Sequence, residues 1–150
     1  MKVKGLDFVF ILVKDMDKAL EFFSKKLGIE FVTHHGPPDP KEMGLVVYVN
    51  FDCQIELVSP LIPLPKDAPA LIKRWSKLLE DRDSQIVSLV FRVDHAGQLA
   101  DDLEQEGIRV EAKIDSPEIK ELSLRNLEER IMVEEDTLGI SMQFVSYELV

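Results

Sequence analysis

Apolar and polar positions follow the same order twice along this chain. Phe8 to Val13, FVFILV, is an unbroken apolar run of β-formers and predicts a buried strand. In the segment KDMDKALEFFSKKLG that follows, Met16, Leu20, Phe23 and Leu27 recur at helical spacing. Asp15 stands where an N-cap belongs, and Gly28 where a left-handed C-cap would end the helix. IEFVTH then predicts a strand. The later half repeats the plan: IVSLVFRV (Ile86 to Val93) predicts a strand and Asp94 a cap. Ala96, Leu99, Ala100 and Leu103 share a helix face, Gly107 ends it, and IRVEAKI predicts the next strand. Asp15 to Gly28 and Asp94 to Gly107 are both thirteen steps. Each half closes on a hairpin-like pair, GLVVYV with QIELVS and RIMVEE with GISMQFVS, across turn formers at Asn50–Asp52 and Asp136–Gly139. The pattern is therefore β-α-β-β-β twice, an internal repeat.

The repeat sets the organisation. One domain is expected, made of module 1–60, connector 61–84 and module 85–150. The connector begins rich in proline, which makes it stiff. It continues as PALIKRWSKLLED, where Leu71, Trp75 and Leu78 predict an amphipathic helix with Trp75 as packing anchor in preference to a binding residue. SPEIKELSLRNLEE, in the second half, has helical character and no evident place in the repeat.

Composition narrows the function classes. Of 150 residues, 45% are hydrophobic and 31% charged, which is globular. A net charge of −10 speaks against nucleic acid, whose phosphates need Lys and Arg. No apolar run approaches the ~20 residues of a membrane span. FVFILV, followed by Lys14 and Asp15, is too short for a signal-peptide core. A single cysteine, Cys53, rules out an internal disulfide and fits the cytoplasm. It alternates with Ile55 and Leu57, which predicts a small buried hydrophobe. The candidate chemistry lies in QIELVSP, where alternation puts Gln54, Glu56 and Val58 on the other side. A carboxylate in mid-strand calls for a partner or a task, since an unpaired buried charge is costly.

Three segments carry a family resemblance: VKDMDKALEFFSKKLGIEF, IELVSP and FRVDHAGQLADDLEQEGI. With the doubled plan, they are similar to the vicinal oxygen chelate superfamily, which includes glyoxalase I, methylmalonyl-CoA epimerase, extradiol dioxygenases and bleomycin-resistance proteins. The connector most resembles that of the epimerase. The resemblance implies an α+β fold of two βαβββ modules whose sheets curl around a shared cleft. In metal-dependent members, the first and last strand of each half supply one ligand each. The first-strand position, commonly His, lies five residues before a valine; counted from Val13 it is Phe8, and from Val93 it is Ser88, or Val87 if the helices are aligned instead. The last-strand positions are Glu56 and Gln143. Both imidazoles are thus replaced, and two oxygen donors lack the nitrogen that usually secures a borderline metal. The resemblance implies no tightly held metal and no cofactor, a divalent metal being the alternative. The histidines offer no rescue. His34 and His35 end a strand, so at most one points inward, and His95 reads as an exposed polar residue at a helix start.

If the strands keep the family's inward faces, the cleft is lined by Phe8, Phe10 and Leu12, by Ser88, Val90 and Arg92, by Gln54, Glu56 and Val58, and by Ser141, Gln143 and Val145. A mostly apolar lining with a few polar groups is that of a small-molecule pocket. Phe8 is open to two readings, a plug or a ligand contact. Arg92 is either a partner for Glu56 or a surface ion-pair residue. The expected function is binding of a small, partly apolar organic molecule. The alternative is an epimerase, isomerase or lyase acting on a small carbonyl or thioester substrate, with Glu56 as catalytic general base. A module without chemistry is the third reading. Open sheet edges point to a homodimer.

Overall fold

A computed structural model describes residues 2–33, 35, 36 and 39–150. His34, one of the two adjacent histidines, lies outside the described residues. The chain forms two compact units. One is Phe10–Val87, and the other joins Ser88–Val150 to the start of the chain through Val9. The connector belongs to the first.

In the unit Phe10–Val87 the end of β1 (Gly5–Val13) lies beside β4 (Ile55–Pro60), then β3 (Leu45–Asn50) and β2 (Val32–Thr33). β3 and β4 pair antiparallel from Leu45 opposite Pro60 to Asn50 opposite Ile55. Helix α1 (Met16–Leu20) starts as expected, with Asp15 accepting from the Lys18 amide at 3.1 Å, and Gly28 takes a positive φ of 73° beyond its end. Between them, Glu21–Lys26 forms a π-helical turn, in which the Leu27 amide reaches back to the Phe22 carbonyl. The wider turn rotates the face, so Leu27 is exposed at 55% instead of packed. β2 is shorter than IEFVTH, because the Asn50 side chain and not a ladder takes the Glu30 carbonyl, at 2.7 Å. A short helix, α2 (Pro40–Met43), precedes β3.

The connector helix α3 (Ala70–Leu78) buries Leu71, Ile72 and Trp75, with Leu79 just beyond it. Leu79, eight residues after Leu71, completes the stripe, and Leu78 faces out. Ile11 and Val13 line a groove with Met16 and Phe23, on the side of α1. Phe10, of opposite alternation, meets Trp75 edge-on with ring centroids 6.4 Å apart. The connector helix therefore covers the β1 face opposite α1, and Trp75 is its anchor.

In the other unit, β5 (Ser84–Arg92) contributes its last residues, pairs in parallel with β8 (Met142–Leu149), and is followed by β7 (Leu124–Met132) and β6 (Val110–Ile119). The strand order repeats that of the first unit, with each half's last strand beside its own first. SPEIKELSLRNLEE is not helical. Apart from one short turn at Lys120–Leu122, it continues β6 and opens β7. Its side chains alternate within a long hairpin, and strand pairing overrides local helix preference. Helix α4 (Ala96–Gln105) packs Ala96 against Val93, Met132 and Phe144. Asp94 does not cap it. Its carboxylate pairs with Lys4, and the Ala96 amide donates instead to Ser146 Oγ on β8, at 3.0 Å.

Candidate functional site

Strand alternation sorts the candidate residues of the second unit. α4 packs against β7 and β8 beside Phe144 and Met132. The opposite face carries two cross-strand rows. Ala112, Ile131, Gln143 and Val90 form one, and Ile114, Glu129, Val145 and Arg92 the next. At one end of this face Ser88, Ser141 and Gln143 come together, all buried. Gln143 Nε2 donates to Ser88 Oγ at 3.0 Å, and Ser141 Oγ lies 3.3 Å from the same atom. Gln143 is fully buried at 0% exposure, and its Oε1 has no hydrogen-bond partner among the described residues. Such an acceptor is costly, on the order of 1–3 kcal/mol.

Further along the face, the Arg92 guanidinium stacks on the Tyr147 ring, 3.5 Å from its centroid, and donates to the Tyr147 carbonyl. Arg92 is thus held by an aromatic residue and not by a surface ion pair. Tyr147 Oη donates to both oxygens of Asp7, at 2.9 and 3.1 Å. Burial, with the Asp7 charge adding, pushes the Tyr147 hydroxyl up to about 12. Burial also raises Asp7, against the bond from Tyr147 and the charge of Arg92. Glu129 is partly buried, and desolvation, with the negative Asp7 adding, moves its carboxyl up to about 7.

The first unit holds the expected residues Glu56, Gln54 and Phe10. Glu56 is on β4, partly buried, opposite Val49. Gln54 is not on the strand. It is an exposed turn residue with φ 58°, so the alternation that placed it beside Glu56 begins one residue too late for it. The same turn overturns the reading of Cys53, which is exposed, its amide donating to Asn50 Oδ1 at 2.7 Å. Phe10 packs on Trp75, as above. Phe8, in the other unit, is buried at 8% exposure. His35 and His95 are exposed, the latter as expected.

The implied metal positions that fall in the second unit, Phe8, Ser88 and Gln143, do not suit a borderline divalent metal. Phe8 supplies a ring, and Ser88 and Gln143 are neutral groups bonded to each other. Among the described residues no three of His, Cys, Asp and Glu group as a metal site would require. Asp7, Glu129 and Tyr147 escaped the sequence reading. Tyr147 was within reach, since the alternation Ser141, Gln143, Val145 continues to it. Glu129 was hidden in a stretch taken for helical, where its strand phase could not be read.

Comparison with known proteins bears on this arrangement. The sequence model of the Glyoxalase/Bleomycin resistance protein/Dioxygenase superfamily matches residues 5–128. No curated protein matches the chain. Among solved structures, methylmalonyl-CoA epimerase from Mycobacterium tuberculosis is similar at TM-score 0.69 and 23% identity, over 95% of this chain and 87% of that one. Streptomyces coelicolor methylmalonyl-CoA epimerase in complex with 2-nitronate-propionyl-CoA reaches 0.67 at 18% identity, over 96% and 97%. A hypothetical protein from Bacillus halodurans C-125 reaches 0.66 at 16%, over 97% and 96%. At these identities the likeness speaks for the fold.

Proposed function

Because the chain belongs to the glyoxalase/bleomycin resistance protein/dioxygenase superfamily, we propose that it binds a small, partly apolar organic molecule without a tightly held metal. The observation that carries the reading is the buried, mutually bonded set of Ser88, Ser141 and Gln143; the family resemblance implies metal-ligand positions at Ser88 and Gln143, and these carry a neutral hydroxyl and a neutral amide. The apolar rows beside it, with Val90, Ile131 and Val145, support an organic ligand. The test is a fragment screen by saturation-transfer NMR. Binders that lose affinity in Gln143→Leu are expected, and a protein silent to every fragment at millimolar concentration would sink the proposal.

The second reading is an epimerase, isomerase or lyase on a small carbonyl or thioester substrate, with Glu56 as general base. The fold likeness to methylmalonyl-CoA epimerases supports it. Incubation with methylmalonyl-CoA in D2O tests it. Deuterium incorporation that vanishes in Glu56→Gln would establish the reading, and no exchange above background would remove it.

The proposal extends to a cytoplasmic homodimer. The lone cysteine supports the compartment. For the dimer, β6 pairs with β7 alone among the described strands, which leaves an edge. Sedimentation velocity would return a single monomeric species if the dimer is wrong. Among the described residues no helix is long and apolar enough to cross a membrane.

A further inference from the structure

Glu129 is an anomaly on its sheet face. Its cross-strand neighbours are Ile114 and Val145, and its neighbours along β7 on the same face are Leu127 and Ile131. Its carboxylate has no hydrogen bond or ion pair among the described residues. The cation in its row, Arg92, sits two strands away beyond Val145, roughly 10 Å at the usual strand spacing. That guanidinium is already committed to the ring and carbonyl of Tyr147. The charge that Glu129 does feel is another carboxylate, Asp7. Asp7 in turn is bonded by Tyr147 and balanced by Arg92, so the negative charge left over on this face is that of Glu129.

We propose that Glu129 is the recognition group for an organic cation, an ammonium carried on an apolar body, which rests on the reading of the protein as a small-molecule binder. The isoleucine, leucine and valine walls take the body, and the carboxylate takes the charge. Hydrogen bonds to ionised partners are among the stronger ones, and a partly desolvated pair gains more than an exposed one. An anionic ligand meets the opposite situation, since the uncompensated charge of Glu129 repels it. Ligand ammonium favours the ionised carboxyl, so binding releases a proton below neutral pH and tightens as pH rises through about 7. The other charged or titratable groups involved are Asp7 from β1, Arg92 from β5 and Tyr147 from β8; β6 presents Ala112, Ile114 and Ser116 to this face, and beyond them the exposed Glu118 stands opposite Arg125 of β7.

The experiment uses three isosteric probes, benzylammonium, benzyl alcohol and benzoate, titrated by NMR into the full chain at pH 6 and pH 8. Benzylammonium is expected to bind about tenfold more tightly than benzyl alcohol at pH 8, with a smaller preference at pH 6 and benzoate weakest. Glu129→Gln and the apolar Glu129→Leu should both abolish the preference while benzyl alcohol still binds. Equal binding of the amine and the alcohol, or a preference that survives in both variants, would overturn the cation assignment and leave small-molecule binding intact. If no probe binds, the assignment falls together with the binding reading. Repeating the series in 0.5 M salt separates a local pair from the general attraction of a chain of net charge −10.

Discussion

Glu129 and Gln143 are polar residues of one sheet face, each flanked by apolar neighbours, and each makes a different demand on the fold. Glu129 holds its proton to about 7, against about 4.5 for an ordinary glutamate. Between those values the folded chain binds a proton that the unfolded chain has lost. Its contribution is therefore neutral below about pH 4.5, becomes progressively destabilising as pH rises from there to about 7, and levels off above 7. Asp7, also raised, acts in the same direction from the lower aspartate range. Asp136 has the opposite sign. Its bonds from Arg109 hold it down to about 2, so its stabilisation is lost only as pH falls towards that value, outside the window of Glu129. Glu129→Gln should gain on the parent by on the order of 2 kcal/mol between pH 5 and pH 8 in urea unfolding. Parallel curves for the two proteins would contradict the shift. For Gln143, removing both the Ser88 bond and the orphaned Oε1 should nearly cancel. Gln143→Leu is expected within about 1 kcal/mol of the parent, whereas Gln143→Glu, which buries a charge there, should cost at least about 3 kcal/mol. Denaturant midpoints of the two variants would tell them apart, and equal losses would mean that the site is more open than its burial indicates.

At the scale of elements, the connector helix is the piece with most at stake. Trp75 is 3% exposed and meets Phe10. Trp75→Ala should cost about 3–5 kcal/mol by transfer and cavity terms together. A loss under 1 kcal/mol, read from thermal unfolding, would mean that α3 is only loosely applied to its strand. The elements also show where sequence patterning is informative. Apolar runs such as FVFILV and periodic stripes such as Leu71 and Trp75 were legible because a buried face imposes its period directly. The phase beyond a π-helical turn, which turns Leu27 outward, was not, because one extra backbone residue leaves no mark on composition. SPEIKELSLRNLEE misled for a related reason. Its charged residues favour a helix locally, while β8 beside β7 decides for strand. In the site, Ser88 and Gln143 were named because the family resemblance implies metal-ligand positions there. The Arg92–Tyr147–Asp7 chain depends on contact between residues 140 positions apart, and no local pattern encodes that.

For the whole molecule, the proposal of a site without a tightly held metal leads to a prediction about added ions. A stoichiometric ion held a thousandfold above its dissociation constant would stabilise the fold by about 4 kcal/mol. Adding Mn2+, Co2+ or Zn2+, or stripping with EDTA, should leave the melting temperature of this protein unchanged. A rise of several degrees with one of these ions would show ligands that the described residues do not supply. The two halves share a strand order, yet their helices begin differently. The α1 amide finds its cap three residues back at Asp15, while the Ala96 amide of α4 finds its cap fifty residues ahead at Ser146. The first helix can thus be closed off as soon as it is made. The second has to wait for the last strand, so the repeat is expected to fold in a fixed temporal order, early helix first. Substituting Asp15 should then slow refolding, whereas Ser146→Ala should mainly speed unfolding; stopped-flow chevrons with the two effects exchanged would reverse that order.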